Sequence, residues 1–137
     1  MYPEEIVIPC RDQLVNEGFR SLTTSEEVDA LLKDNSGSIL LVINSVCGCA
    51  ARGARPGVIK SLQNEKKPDV LATVFAGVDH EAVARAREYL MPYPPSSPSI
   101  ALFNQGKLVH FIERYQIEGA MDESLAQHLQ KVYNELL

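Results

Sequence analysis

Two of the three cysteines, Cys47 and Cys49, are separated only by Gly48 and follow closely on the apolar run Ile39-Leu40-Leu41-Val42-Ile43. The thiolate is the nucleophilic form of cysteine, and unpaired N–H groups at a helix N-terminus lower a thiol pKa. A cysteine pair placed where a strand gives way to a helix is therefore suited to thiol–disulfide exchange. Cys47, the more N-terminal of the two, is the better nucleophile. Cys49, one step further into the helix, would be the resolving thiol that attacks a mixed disulfide on Cys47. A Cys47–Cys49 bridge would close a very small ring whose torsions relax poorly, and a strained bridge is more readily reduced. Gly48 is the residue best able to take up the distorted backbone.

Two plainer readings compete. A structural metal usually needs four ligands, and neither Cys10 nor His80, His110 and His128 stands at ligand spacing around the pair. The pair could also be two core cysteines, a reading that Asn44, Ser45, Arg52 and Arg55 beside it argue against, since polar and cationic surroundings favour a reactive thiolate. Arg52 and Arg55 would add positive potential if they turn towards the sulfurs. Cys10, within Ile6-Val7-Ile8-Pro9-Cys10, reads as an inert thiol packed as a small hydrophobe rather than as a third redox partner.

The elements that must position the pair can be read outward from it. Ser38 to Asn44 is branched and apolar throughout, too short for most helices, and suits a central strand buried on both faces. A helix should follow from Cys47, kinked at Pro56, which cannot donate to the Arg52 carbonyl. Val70 to Phe75 is a second strand and His80 to Leu90 a second helix with Asp79 as N-cap, completing a βαβ unit with parallel strands. Before the pair, a helix near residues 3 to 16 should break at Pro9. A further helix should begin at the capping box Thr24-Ser25-Glu26-Glu27 and end at Asn35-Ser36-Gly37. Beyond it, Met91 to Pro98 carries four of the eight prolines and cannot be regular helix. Ile100 to Phe103 and Leu108 to Ile112 form a hairpin. Met121 to Leu137 has Leu125, Leu129, Val132 and Leu136 at helical spacing and closes the domain. Ser97-Pro98, opening a strand, is placed for a cis peptide bond. The expectation is a single α/β domain over 1–137, a central mixed sheet flanked by helices with an N-terminal helical extension.

A length of 137 residues suits one domain. The net charge of −5, with 13 basic against 18 acidic residues and no cationic block, argues against nucleic acid and anionic membranes as partners. Met1-Tyr2-Pro3-Glu4-Glu5 has neither the basic segment nor the apolar core of a secretion signal, so the expected location is cytoplasmic. The cytosol keeps thiols reduced, which favours a catalytic pair over a structural disulfide.

The order of elements, the cysteine pair at a strand–helix junction and Pro98-Ser99-Ile100-Ala101-Leu102-Phe103 before a hairpin resemble the thioredoxin fold. Closer still, Asn44-Ser45-Val46-Cys47-Gly48-Cys49-Ala50-Ala51, Ala54-Arg55-Pro56, Val74-Phe75-Ala76-Gly77, Ser96-Ser97-Pro98-Ser99 and His110-Phe111-Ile112 resemble the bacilliredoxins. That resemblance implies a thiol–disulfide oxidoreductase that removes bacillithiol from S-bacillithiolated proteins. Cys47 and Cys49 would be its catalytic residues, and Gly48, Ser97, Pro98 and Arg55 would line the substrate site. It implies no cofactor and no metal. Bacillithiol would be co-substrate, and a bacillithiol-disulfide reductase system a partner. Disulfide isomerase or general reductase activity, and a redox-inactive interaction module, are the alternatives. Many thioredoxins carry an acid six positions before the first cysteine, where this chain has Leu41. No catalytic part is assigned to the region of Tyr115.

Overall fold

The computed structural model describes residues 2–33 and 36–137. Its elements run α1 (Glu4–Val15), β1 (Arg20–Ser21), α2 (Ser25–Leu32), β2 (Ser38–Asn44), a π-helical segment (Ala50–Ala54) continuing into α3 (Arg55–Ser61), β3 (Val70–Phe75), α4 (His80–Glu88), β4 (Ser99–Asn104), β5 (Lys107–Ile112), α5 (Arg114–Glu118) and α6 (Asp122–Leu136).

The apolar run of β2 takes the middle of a five-stranded sheet ordered β1-β3-β2-β4-β5. β3 lies parallel to both β2 and β1, while β4 runs antiparallel to β2 and β5 to β4. All seven β2 residues are buried, because side chains alternate between faces and helices cover both. Leu40 and Val42 join Leu14, Val58, Leu125 and Leu129 in one core cluster. Ile39, Leu41 and Ile43 join Val28, Leu31, Val83 and Ala86 in the other. Each fully buried leucine or valine contributes roughly 1.5–3 kcal/mol. Gly57 lets α6 approach α3 closely: a Cβ there would lie 2.7 Å from Leu125 Cδ2.

Local expectations fare unevenly. The Thr24–Glu27 capping box forms in both directions, and the hairpin turns through Gln105 and Gly106, both at positive φ. α2 ends at Leu32, and the expected stop residue Asn35 lies outside the described residues. α1 does not break at Pro9 but runs through it. Pro9 and Glu5 are both exposed, so water can satisfy the Glu5 carbonyl that proline cannot reach. Asp79 precedes α4 without capping it: its carboxylate instead takes Arg11 at 3.0 Å and the Phe75 N–H. α4 stops at Glu88 rather than Leu90. β1 and α5 are additions to the sequence reading.

Candidate functional site

β2 ends in Asn44, fully buried, and its side chain organises the turn that follows. Its Nδ2 donates to the Cys10 carbonyl at 3.0 Å, and its Oδ1 accepts the Ser45 N–H at 2.8 Å. The same Oδ1 accepts Arg55 Nη1 at 3.0 Å. Arg55 also donates to the Ser45 carbonyl at 2.6 Å and, through Nε, to Gln13 Oε1 at 2.8 Å. The planar guanidinium thus ties α1, β2 and α3 together behind the turn, a geometry that suits arginine's fixed fork of donors. Arg55 was expected at the substrate site. At 4% exposure, with Nε and Nη1 bonded inward, it holds the turn in position from behind.

The turn held in this way presents Cys47. Ser45 Oγ accepts the Cys47 N–H at 3.2 Å. The Cys47 carbonyl accepts the N–H groups of Ala50 and Ala51, so the motif opens a helix as the sequence requires. Pro56 produces no simple kink. The Arg55 N–H bonds back to the Ala50 carbonyl, five residues earlier. A widened π turn therefore absorbs the donor that proline lacks.

Both cysteines are free and half-buried, with their Sγ atoms 2.7 Å apart. Burial pushes the Cys47 thiol up, yet hydrogen bonds from Cys49, from Ser45 and from the Ala50 and Cys49 N–H groups outweigh it, so its pKa falls below the ordinary cysteine value. Burial, the bond with Cys47 and that neighbour's negative charge push Cys49 the other way, with Arg114 opposing. The pair is unequal: Cys47 gives up its proton more readily than an ordinary cysteine and Cys49 less readily, so of the two Cys47 is the better source of thiolate.

Ser97, which precedes Pro98, is bonded by Arg114, a residue whose charge also acts on the cysteines. The Ser97–Pro98 bond is cis, as is Met91–Pro92. Arg114, the first residue of α5, donates through Nη1 to the Ser97 carbonyl at 2.9 Å and through its backbone N–H to Ser96 Oγ at 3.4 Å. Its Nε takes Glu118 at 2.6 Å. α5 packs on the π segment, where Ile117 Cγ2 lies 3.4 Å from the Cβ position of Gly53. Arg114 stands beside Tyr115, in the region left without a role. Its signal in sequence, one arginine after a hairpin, is too common to single out.

Gly48 is exposed, and the Arg52 guanidinium lies over it. Cys10 leaves the motif alone except that its carbonyl holds Asn44. His110 is elsewhere, its Nε2 2.9 Å from that of His128. No group of three or more histidine, cysteine or acidic side chains among the described residues is arranged to hold a metal ion. No described helix is long and apolar enough to cross a membrane. A cleft of about 620 Å³ lined by Arg20, Leu62, Lys67 and Val70 lies at the opposite end of the sheet, away from the sulfurs.

The sheet, its helices and the thiol pair define a thioredoxin-fold thiol–disulfide oxidoreductase. Solved structures agree on the fold. Mitochondrial thioredoxin 3 of Saccharomyces cerevisiae superposes with a TM-score of 0.56 at 21% identity, covering 86% of this chain and 95% of that one. Schistosoma mansoni thioredoxin gives 0.56 at 15%, covering 84% and 97%. A family model described as Disulphide isomerase matches residues 2–136. A bacilliredoxin from Cytophaga hutchinsonii is 59% identical over 136 residues, covering 99% of this chain and 100% of the relative. One from Halalkalibacterium halodurans is 53% identical over 134 residues, covering 98% and 93%. The chain belongs to the bacilliredoxin family.

Proposed function

We propose that this protein removes bacillithiol from S-bacillithiolated proteins in the cytoplasm. The Cys47 thiolate attacks the bacillithiol sulfur of the mixed disulfide. A Cys47–bacillithiol bond forms, the protein–bacillithiol bond breaks, and the repaired protein leaves as a thiolate. A second bacillithiol, or Cys49, then displaces the bacillithiol from Cys47. No oxidant enters, because each step exchanges one disulfide for another. The resulting bacillithiol disulfide, or the Cys47–Cys49 bridge, is returned to thiols by a bacillithiol-disulfide reductase system. The exchange itself needs no organic cofactor and no metal.

The observation that carries this reading is the inequality of the pair, with Cys47 lowered and Cys49 raised. The lowered thiol is the better nucleophile, and the raised one keeps its proton to higher pH. Relatives named bacilliredoxin support the choice of substrate. The test is release of bacillithiol from a bacillithiolated test protein by the wild type, Cys47→Ala and Cys49→Ala. The reading expects release by the wild type, none by Cys47→Ala, and one stoichiometric turnover or more by Cys49→Ala. No release by the wild type sinks it.

The description Disulphide isomerase for the matching family favours a second reading, reshuffling of protein disulfides by the same Cys47. Reactivation of scrambled ribonuclease without bacillithiol release would select it.

A further inference from the structure

Sequence alone left open which arginine faces the sulfurs, and the structure separates them. Arg55 is buried, with its Nε and Nη1 bonded to Gln13, Asn44 and Ser45. Arg52 is exposed, and its Nη1 and Nη2 lie 2.6 and 3.0 Å from the point where a Cβ on Gly48 would sit. Its guanidinium therefore rests on the backbone between the two cysteines, in space that exists because residue 48 has no side chain. Arg52 has no hydrogen-bonding or ion-pair partner among the described residues. A second arginine whose charge acts on the cysteines is Arg114, whose Nε and Nη1 are engaged by Glu118 and Ser97. Its Nη2 has no bond among the described residues, and its side chain is 44% exposed.

A guanidinium left unpaired at a reactive centre, in a chain of net charge −5, is a receptor for an anion. Its planar edge matches a carboxylate through two parallel N–H bonds, and such charge-assisted bonds are stronger than neutral ones. We propose that Arg52, aided by Arg114, forms a subsite for a carboxylate on the low-molecular-weight thiol that Cys47 receives, so that the enzyme selects acidic thiol adducts over neutral or basic ones. The inference deepens the debacillithiolation reading by naming the feature of the small thiol that is recognised. The electrostatic effect of Arg114 on Cys49 places its charge within reach of the same sulfurs.

The subsite can be tested without bacillithiol. Iodoacetamide and iodoacetate alkylate Cys47 by the same step, in which an S–C bond forms and iodide leaves, but only iodoacetate carries a carboxylate. Their rates are measured at Cys47 by peptide mass in the Cys49→Ser background. Exposed charge pairs are each worth under about 1 kcal/mol. Arg52→Gln should accordingly lower the iodoacetate-to-iodoacetamide ratio about 3-fold, Arg52→Gln with Arg114→Gln up to about 10-fold, and 1 M salt should flatten the difference. Arg52→Lys should keep part of the ratio. Gly48→Ala should reproduce the Arg52→Gln loss, because its methyl group meets only the flexible end of Arg52. An unchanged ratio in the double variant overturns the proposal. Failure of the wild type to release bacillithiol would leave this ratio intact, so the two readings fail separately.

Discussion

Arg55 Nη1 lies 2.6 Å from the carbonyl oxygen of Ser45, and through that bond a residue of α3 sets the turn carrying the nucleophile. The same guanidinium holds Asn44 Oδ1 and Gln13 Oε1. Arg55→Met would leave these acceptors without their donor in a buried setting. The expected cost is roughly 2–4 kcal/mol, read as a lower midpoint in urea unfolding at unchanged slope. Arg55→Lys should recover little, since one ammonium cannot span the three acceptors. Both variants should also slow alkylation of Cys47, whose N–H and thiolate depend on Ser45. A Lys variant with wild-type stability would remove Arg55 from the scaffold of the turn.

The thiol pair predicts its own pH dependence. Cys47 lies below the ordinary cysteine value, so its iodoacetamide rate should rise with pH and level off with a midpoint below that value, while Cys49 should titrate above it. Cys49→Ala removes the hydrogen bond that helps lower the Cys47 pKa and should move the Cys47 midpoint upward. For stability the sign follows from linkage. The lowered Cys47 pKa contributes stability above the unfolded thiol pKa, and that contribution is lost as pH falls through the folded value. Cys49 contributes in the opposite direction, stabilising at low pH and fading as pH rises, so the two oppose each other in unfolding. Alkylation profiles therefore report each cysteine separately, whereas a melting curve reports only their difference. Equal midpoints for the two cysteines would contradict the assigned roles.

Much of this arrangement was legible in the chain because it rests on strong local signals. The unbroken branched run Ser38 to Asn44 leaves a central strand as its simplest form, and Thr24 with Glu27 satisfies helix-end donors in either sequence or structure. The cysteine pair was placed at a helix start by the strand before it. Which of Arg52 and Arg55 faces the sulfurs was not legible, for a geometric reason. A π turn inserts one residue, and each residue turns a helix by about 100°, so the faces beyond Ala54 cannot be read from an ordinary helical period. Arg114 was missed because its importance comes from α5 folding back on the π segment, a long-range contact. β1, at two residues, and α5, at five, are too short for any periodicity to appear.

Gly57 marks where the motif helix meets α6. A Cβ at this position would stand 2.7 Å from Leu125 Cδ2 and 3.1 Å from Leu125 Cβ. Gly57→Ala gains up to about 1 kcal/mol in helix propensity, but overpacking a buried contact costs about 1–3 kcal/mol. The expected net result is destabilisation by about 1 kcal/mol in urea unfolding. Adding Leu125→Ala makes room for the new methyl group, so the double variant should be less unstable than the sum of the two singles. Strict additivity would show that α3 and α6 do not press on each other here.

Tyr133 offers a test at the far end of the same helix pair. Its hydroxyl lies 2.9 Å from Ser61 Oγ, which in turn donates to the Val58 carbonyl at 2.6 Å, and the ring is fully buried. Burial drives its pKa up to about 12, with the Ser61 bond opposing. A group whose folded pKa is raised stabilises fully below its unfolded value, near 10, and loses that contribution as pH climbs through the folded value. Between about pH 10 and pH 12 the fold should therefore lose roughly 2–3 kcal/mol through this residue alone. Tyr133→Phe should cost about 1 kcal/mol at neutral pH for the missing hydrogen bond and should remove that alkaline decline. Chemical unfolding at pH 7, 10 and 11.5 reads both effects. A decline of the same size in Tyr133→Phe would assign the alkaline sensitivity to another group and show that ionisation of Tyr133 is not resisted by the core.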